Sequence, residues 1–64
     1  MGEVSPVRPE PLTVRVPDAV RMIGVSRSRL YELLKTREIE HIKVGSSTLV
    51  LVQSLRDWVE SKRR

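Results

Sequence analysis

A short break in a helical pattern, Gly24-Val25-Ser26, limits the folds open to this chain more than any other feature. Upstream of the break, four apolar residues recur at the spacing i, i+3, i+4 and i+7: Val16, Ala19, Val20 and Ile23. This spacing places them on one face and predicts a helix of two turns. Pro17 suits the first turn of that helix, and Asp18 suits its positive dipole end.

The break carries signals for ending one helix and starting another. Gly24 follows the last periodic residue, and glycine readily takes the left-handed conformation that closes a helix. The hydroxyl of Ser26 can accept a hydrogen bond from the first free amides of a second helix, whose apolar stripe is Leu30, Leu33 and Leu34. Two short helices joined by this turn predict a helix-turn-helix.

After Lys35 the pattern changes from helical to strand-like. The segments rich in β-branched residues contain Ile39, Ile42, Val44 and residues 48–52. They flank the turn-forming cluster Gly45-Ser46-Ser47, which predicts a β-hairpin with its tip at Gly45.

The second strand of this hairpin is unusual because Leu49-Val50-Leu51-Val52 is continuously apolar. A strand with one exposed face alternates apolar and polar residues. Either one side of the hairpin is apolar surface open to another protein, or the last helix or the N-terminal tail covers it.

A last helix is predicted from Leu55, Trp58 and Val59, which follow the spacing i, i+3, i+4 and precede the basic end Lys62-Arg63-Arg64. Trp58 lies on the apolar stripe, and the chain has no Phe with which to build a base-stacking surface. We therefore interpret Trp58 as a core anchor rather than a nucleic-acid contact.

The order helix, turn, helix, hairpin, helix predicts a winged helix-turn-helix of the α+β class, mainly α. In this fold the second helix can enter a major groove while the hairpin, or wing, reaches the adjacent backbone or minor groove. Residues 13–64 are expected to form this domain. Residues 1–12 hold three of the four prolines and no apolar period, which predicts an extended or disordered tail.

Composition narrows the possible functions. A chain of 64 residues forms one small core, which leaves little room for an enclosed substrate pocket, so we expect no enzyme. The net charge of +4 favours a polyanionic partner. There is no cysteine, and the single histidine, His41, cannot form a metal site alone, so no cofactor is expected. No membrane span or signal peptide is evident, and we expect a cytoplasmic protein.

Three segments together resemble the excisionase family within the MerR-like winged helices: residues 24–31 (GVSRSRLY), Lys43-Val44-Gly45, and Leu55-Arg56-Asp57-Trp58. The resemblance extends from about Val14 to Val59. It implies a protein that binds double-stranded DNA at repeats beside an attachment sequence, bends the DNA, and helps an integrase to excise a phage or other mobile element. Other members are transcriptional regulators of prophage genes.

The resemblance also implies two groups of DNA-binding residues. On the second, recognition helix they are Ser26, Arg27, Ser28, Arg29, Tyr31, Glu32 and Lys35. On the wing they are Lys43, Gly45, Ser46 and Ser47. Family members often have an arginine at the position of Glu32 and a basic pair at the wing tip, where this chain has two serines.

Several of these residues also have a purely structural interpretation. Arg27 and Arg29 oppose the dipole at the start of their helix, and this local disadvantage favours a phosphate or base contact over a solvated face. Glu32 either accepts from a cytosine edge or pairs with Lys35 at the i, i+3 spacing. We expect Tyr31 at the rim of the core with its hydroxyl free for a phosphate.

Two further hypotheses remain open. A prophage regulator would share the fold and bind promoters without an integrase. A protein-interaction module would use the apolar wing and bind DNA weakly or not at all. An exposed apolar wing also suggests head-to-tail self-association along DNA.

Overall fold

The computed structural model describes residues 11–63 and has the order β1, α1, α2, β2, β3, α3. The helices are α1 (Val16–Ile23), α2 (Arg27–Lys35) and α3 (Val52–Lys62). The strands are β1 (Thr13–Arg15), β2 (His41–Val44) and β3 (Ser47–Leu51). This confirms the predicted winged helix-turn-helix of the α+β class and adds one strand, β1. Most of the predicted tail, residues 1–10, lies outside the described residues, so the tail and its boundary stay predictions.

The turn between α1 and α2 forms through the predicted local contacts. Gly24 has a φ of 72°, and its N–H donates to the Val20 carbonyl at 2.8 Å. Ser26 accepts the Arg29 N–H on its Oγ at 3.1 Å, which caps α2. These two contacts end one helix and start the next within three residues.

The sheet has the strand order β1-β3-β2, and both pairings are antiparallel. Val50 lies in the middle strand, opposite Val14 on one side and His41 on the other. The prediction of a simple hairpin was incomplete because β1 is only three residues long and shows no period of its own. Its partner strand lies more than thirty residues further along the chain.

Pairing on both edges of β3 settles the status of its apolar run. Val50 is fully buried in the core, on the face that packs against the helices, and Val52 is buried at the start of α3. Leu49 and Leu51 alternate to the opposite face and are half-buried. On that side the neighbouring strand presents Ile42 and Val44, which are 45% and 57% exposed. We call Ile42, Val44, Leu49 and Leu51 the outer sheet face. The helices cover one side of β3 and the outer side is partly exposed, so each of the two predicted interpretations holds for one side of the strand.

The core joins all three helices to the sheet. Its buried members are Val16, Ala19, Leu30, Leu33, Leu34, Ile39, Val50 and Leu55. Ile39, which the sequence pattern assigned to the hairpin, is fully buried in the connection before β2. Within residues 11–63, no helix is both long and apolar enough to span a bilayer.

Helix α3 buries a slightly different stripe from the predicted one. Trp58 packs against the core as expected, but Val59 is 40% exposed, so its assignment to the buried stripe was wrong. The buried residues of this helix are Val52 and Leu55, so the buried stripe extends from Trp58 back to Val52 and does not include Val59. The Nε1 of Trp58 is buried and has no acceptor within the described residues, while the Lys62 Nζ lies 5.6 Å from the ring centroid.

A left-handed residue that is not glycine follows the end of α2. Arg37 has a φ of 66°. Its N–H donates to the Leu34 carbonyl at 3.2 Å, and the Glu38 N–H donates to the Leu33 carbonyl at 2.9 Å. This pair of bonds is the Schellman arrangement, in which glycine is the usual left-handed residue.

We expect Arg37→Gly to raise the free energy of unfolding by roughly 0.5–1 kcal/mol, because glycine avoids the steric cost of the left-handed conformation. Urea unfolding followed by fluorescence of Trp58, the one tryptophan of the chain, measures the change. Arg37→Ala is the matched control, since it removes the same side chain but keeps a Cβ. Equal stability of the two variants would contradict the assignment.

Candidate nucleic-acid interface

The predicted recognition residues form the exposed side of α2. Leu30, Leu33 and Leu34 are buried on one side of this helix. The six recognition residues that α2 contributes are all exposed: Arg27, Ser28, Arg29, Tyr31, Glu32 and Lys35. Sequence periodicity thus separated the core side of α2 from the side available to a partner.

Ser26 combines a structural role with an available donor. Its Oγ accepts the Arg29 N–H, so the oxygen caps α2. A hydroxyl that accepts in this way can still donate its own hydrogen, and the residue is exposed. The position is thus compatible with a phosphate contact as well as with the cap.

Glu32 pairs with a different cation from the one predicted. Its Oε1 accepts from the Arg29 Nη1 at 3.2 Å, whereas the expected pair with Lys35 is not present. Both spacings are i, i±3, so the sequence alone does not distinguish them. The side chains of Arg29 and Glu32 are 53% and 67% exposed, and an ion pair this open contributes little to stability. A binding partner can therefore separate the pair at small cost.

The wing turns over two residues. Gly45 has a φ of 62°, and Val44 pairs directly with Ser47 across the turn. Lys43 is exposed on β2, opposite Thr48, and its ammonium makes no ion pair within residues 11–63. Ser46 is exposed and Ser47 half-buried. The tip is compact and polar, with one cation behind it.

The tertiary structure joins α2 to the wing tip. A shallow groove of about 250 Å³, here called the helix–wing groove, is lined by Arg15, Val16, Pro17, Tyr31, Ser46, Ser47 and Thr48. Tyr31, which is 49% exposed, therefore lies next to the two wing serines. The structure brings these three predicted residues together, whereas the other predicted residues do not line this groove.

Arg15 is the groove residue that the sequence analysis missed. It lies at the end of β1 and at the N-cap of α1, a position that usually carries Ser, Thr, Asp or Asn. An arginine at the start of a predicted helix is unusual, and this could have indicated a binding role for Arg15. This signal went unused because β1 was not predicted.

Comparison with known proteins agrees with this geometry. A family model described as a helix-turn-helix domain matches residues 13–63. An excisionase from Streptomyces ambofaciens is 32% identical over 59 residues, which cover 92% of each chain. No solved structure matches the chain significantly. Because the family model and the excisionase both match most of the chain, and because the structure has the helix-turn-helix with a wing beside it, the chain belongs to the excisionase family of helix-turn-helix proteins.

Proposed function

We propose that this protein binds double-stranded DNA at repeats beside an attachment sequence, with α2 in a major groove and the wing on the adjacent backbone. The observation that carries the proposal is the exposed side of α2, on which polar and charged recognition residues stand free of the core. Nine residues of helix span about 13 Å, and a B-DNA major groove of about 12 Å admits a single helix.

Cations suited to phosphates border this side. Arg27, Lys35 and Lys43 have no hydrogen-bonded or charged side-chain partner within residues 11–63, and Arg29 has only its exposed pair with Glu32. Such groups release counterions from DNA when they bind, which supplies affinity without sequence preference. Ser28 and Glu32, between the cations, are the residues we assign to base edges.

We propose further that binding bends the DNA and sets the direction of integrase-mediated recombination toward excision. Support comes from the excisionase relative and from the wing, which would extend a DNA contact of α2 beyond one groove. Bending costs a few kcal/mol and is offset by the added contacts. The protein acts in this scheme by binding and shaping DNA, with no catalytic step of its own.

The outer sheet face is our candidate surface for protein partners. Ile42 and Val44 are 45% and 57% exposed beside the half-buried Leu49 and Leu51, an apolar surface that a second copy or the integrase would cover. On DNA, neighbouring copies are held close together, so a small surface suffices for contact.

Fluorescence anisotropy with a duplex from the attachment region of the element and a shuffled duplex tests the proposal. Neutralising about four phosphates predicts a slope near −3.6 for log K against log salt, or about 150-fold weaker binding at 200 mM than at 50 mM salt. We expect preference for the attachment duplex. Promoter DNA bound in its place would indicate a regulator, and a shallow slope without preference would indicate a protein-interaction module.

We expect Lys43→Ala to weaken binding to every duplex alike and to reduce the steepness of the salt slope by about 0.9, because one phosphate contact is lost. The same titration measures it. Lys43→Arg keeps the charge and is expected to retain the slope. An unchanged slope in Lys43→Ala would show that the wing does not hold the backbone.

A further inference from the structure

We infer that the helix–wing groove is a phosphate site on the DNA backbone and that Arg15 is its cation. This inference rests on the proposed function and adds a contact between the recognition helix and the wing that the sequence pattern did not indicate.

The lining of the groove has the chemistry of a phosphodiester site. Arg15 is its one charged residue, and there is no carboxylate among the residues that line it. Four of the residues that line the groove carry hydroxyl groups: Tyr31, Ser46, Ser47 and Thr48. Arginine and hydroxyl donors are the groups that proteins most often direct at DNA phosphates.

Arg15 is free to bind. It is exposed, and its guanidinium makes no hydrogen bond or ion pair within residues 11–63. Three other arginines, Arg21, Arg29 and Arg63, each pair with a carboxylate three residues away. Among residues 11–63, Arg15 has no such partner.

The backbone of Arg15 pairs with Leu49 in the sheet, but its side chain does not stabilise the start of α1. As the N-cap of α1 it makes no side-chain hydrogen bond to the helix amides. A cation there also opposes the positive end of the helix dipole, and the acid of the first turn, Asp18, pairs with Arg21 instead. A residue that disfavours its own helix and faces a hydroxyl-lined groove is explained by a ligand in that groove.

The placement also gives this contact a mechanical role. Arg15 belongs to β1, which pairs with the wing strand β3, and it directly precedes α1 of the helix-turn-helix. A phosphate held in the groove would touch α2 through Tyr31 and the wing through Ser46. One backbone group would therefore fix the angle between the recognition helix and the wing.

Arg15→Ser tests the inference because it separates folding from binding. Serine is a favoured N-cap, so we expect the thermal midpoint to rise by roughly 4–8 °C. We expect affinity for every duplex to fall about 5- to 10-fold near 0.1 M salt, and the salt slope to lose about 0.9. Arg15→Lys is expected to keep the slope. Arg21→Ser, which removes the same charge from α1 outside the groove, is expected to change the slope little.

Duplexes carrying a single uncharged methylphosphonate locate the contact. A methylphosphonate at the phosphate that Arg15 contacts is expected to weaken binding of the unmodified protein. The same modification is expected to leave the affinity of Arg15→Ser unchanged. An unchanged slope in Arg15→Ser, while the unmodified protein still binds steeply, would overturn the inference alone. Absence of DNA binding by the unmodified protein would overturn the proposed function with it. Stabilisation by inorganic phosphate without any loss of DNA affinity in Arg15→Ser would show a free-anion site and also overturn the inference.

Discussion

Leu33→Ala is expected to destabilise the domain by about 2–5 kcal/mol, the range for a fully buried leucine that leaves a cavity. Leu33 is 0% exposed at the centre of the core. A domain of this size has a net stability of only about 3–5 kcal/mol, so we expect the variant to keep little net stability and a substantial share of its molecules to be unfolded at 25 °C. Far-ultraviolet circular dichroism in a urea titration measures the loss.

Leu33→Ala tests the side chain alone, because the backbone contacts of Leu33 are kept. Its carbonyl accepts from the Glu38 N–H at 2.9 Å and the Ile39 N–H at 3.2 Å, so the same residue anchors the end of α2. Leu12→Ala is the control, because Leu12 is 85% exposed and its truncation is expected to change stability by less than about 0.5 kcal/mol. A cooperative Leu33→Ala domain near the original stability would show that the core is organised around other residues.

Glu32→Ala is expected to abolish discrimination at one base pair. Loss of a good contact to a base edge costs about 1–3 kcal/mol, or roughly 5- to 150-fold in affinity for the attachment duplex. Binding to a shuffled duplex is expected to stay equal or to strengthen, since an acid is removed and Arg29 is released from its 3.2 Å pair. Anisotropy with duplexes that differ by one base pair at each position locates the contact.

Two variants separate this effect from a general change in charge. Glu60→Ala removes the acid of a similar exposed pair at the end of α3, with Arg63 at 3.5 Å, and is expected to leave base preference unchanged. Arg29→Ala removes the cation that pairs with Glu32 and is expected to weaken all sequences alike. Equal strengthening of both duplexes by Glu32→Ala would mean that Glu32 serves only its ion pair.

Both large effects involve α2, one on each side of the helix. Leu33 holds the helix in place, and Glu32, one residue earlier, faces outward. Since successive helical residues point about 100° apart, a nine-residue helix provides both buried residues of the core and the surface that we propose for DNA. In so small a protein, stability and recognition share the same short segment.

Sequence reasoning was sufficient for the turn between α1 and α2 and for the wing tip, where the controlling contacts are local. Gly24 closes α1 through a bond to Val20, Ser26 caps α2 through Arg29, and Gly45 turns the wing. These interactions span at most four residues, so residue type and spacing reveal them. The resemblance of the same segments to excisionases also identified the family, because the motifs of that family are short and follow a fixed order along the chain.

The tertiary structure decided what depends on distant or equivalent partners. Pairing of β1 with β3 joins Thr13 to Leu51 and places Arg15 in the helix–wing groove. A strand of three residues is too short for its periodicity to predict it. Burial on one side of β3 and exposure on the other follows from that pairing and from the packing of the helices. Glu32 had two cations at equal spacing, and only the folded structure selected Arg29. The residues that determine a helix cap or a turn lie within about one helical turn of each other, so the sequence reveals them. Long-range strand pairing and the choice between equivalent neighbours depend on where the whole chain places each side chain.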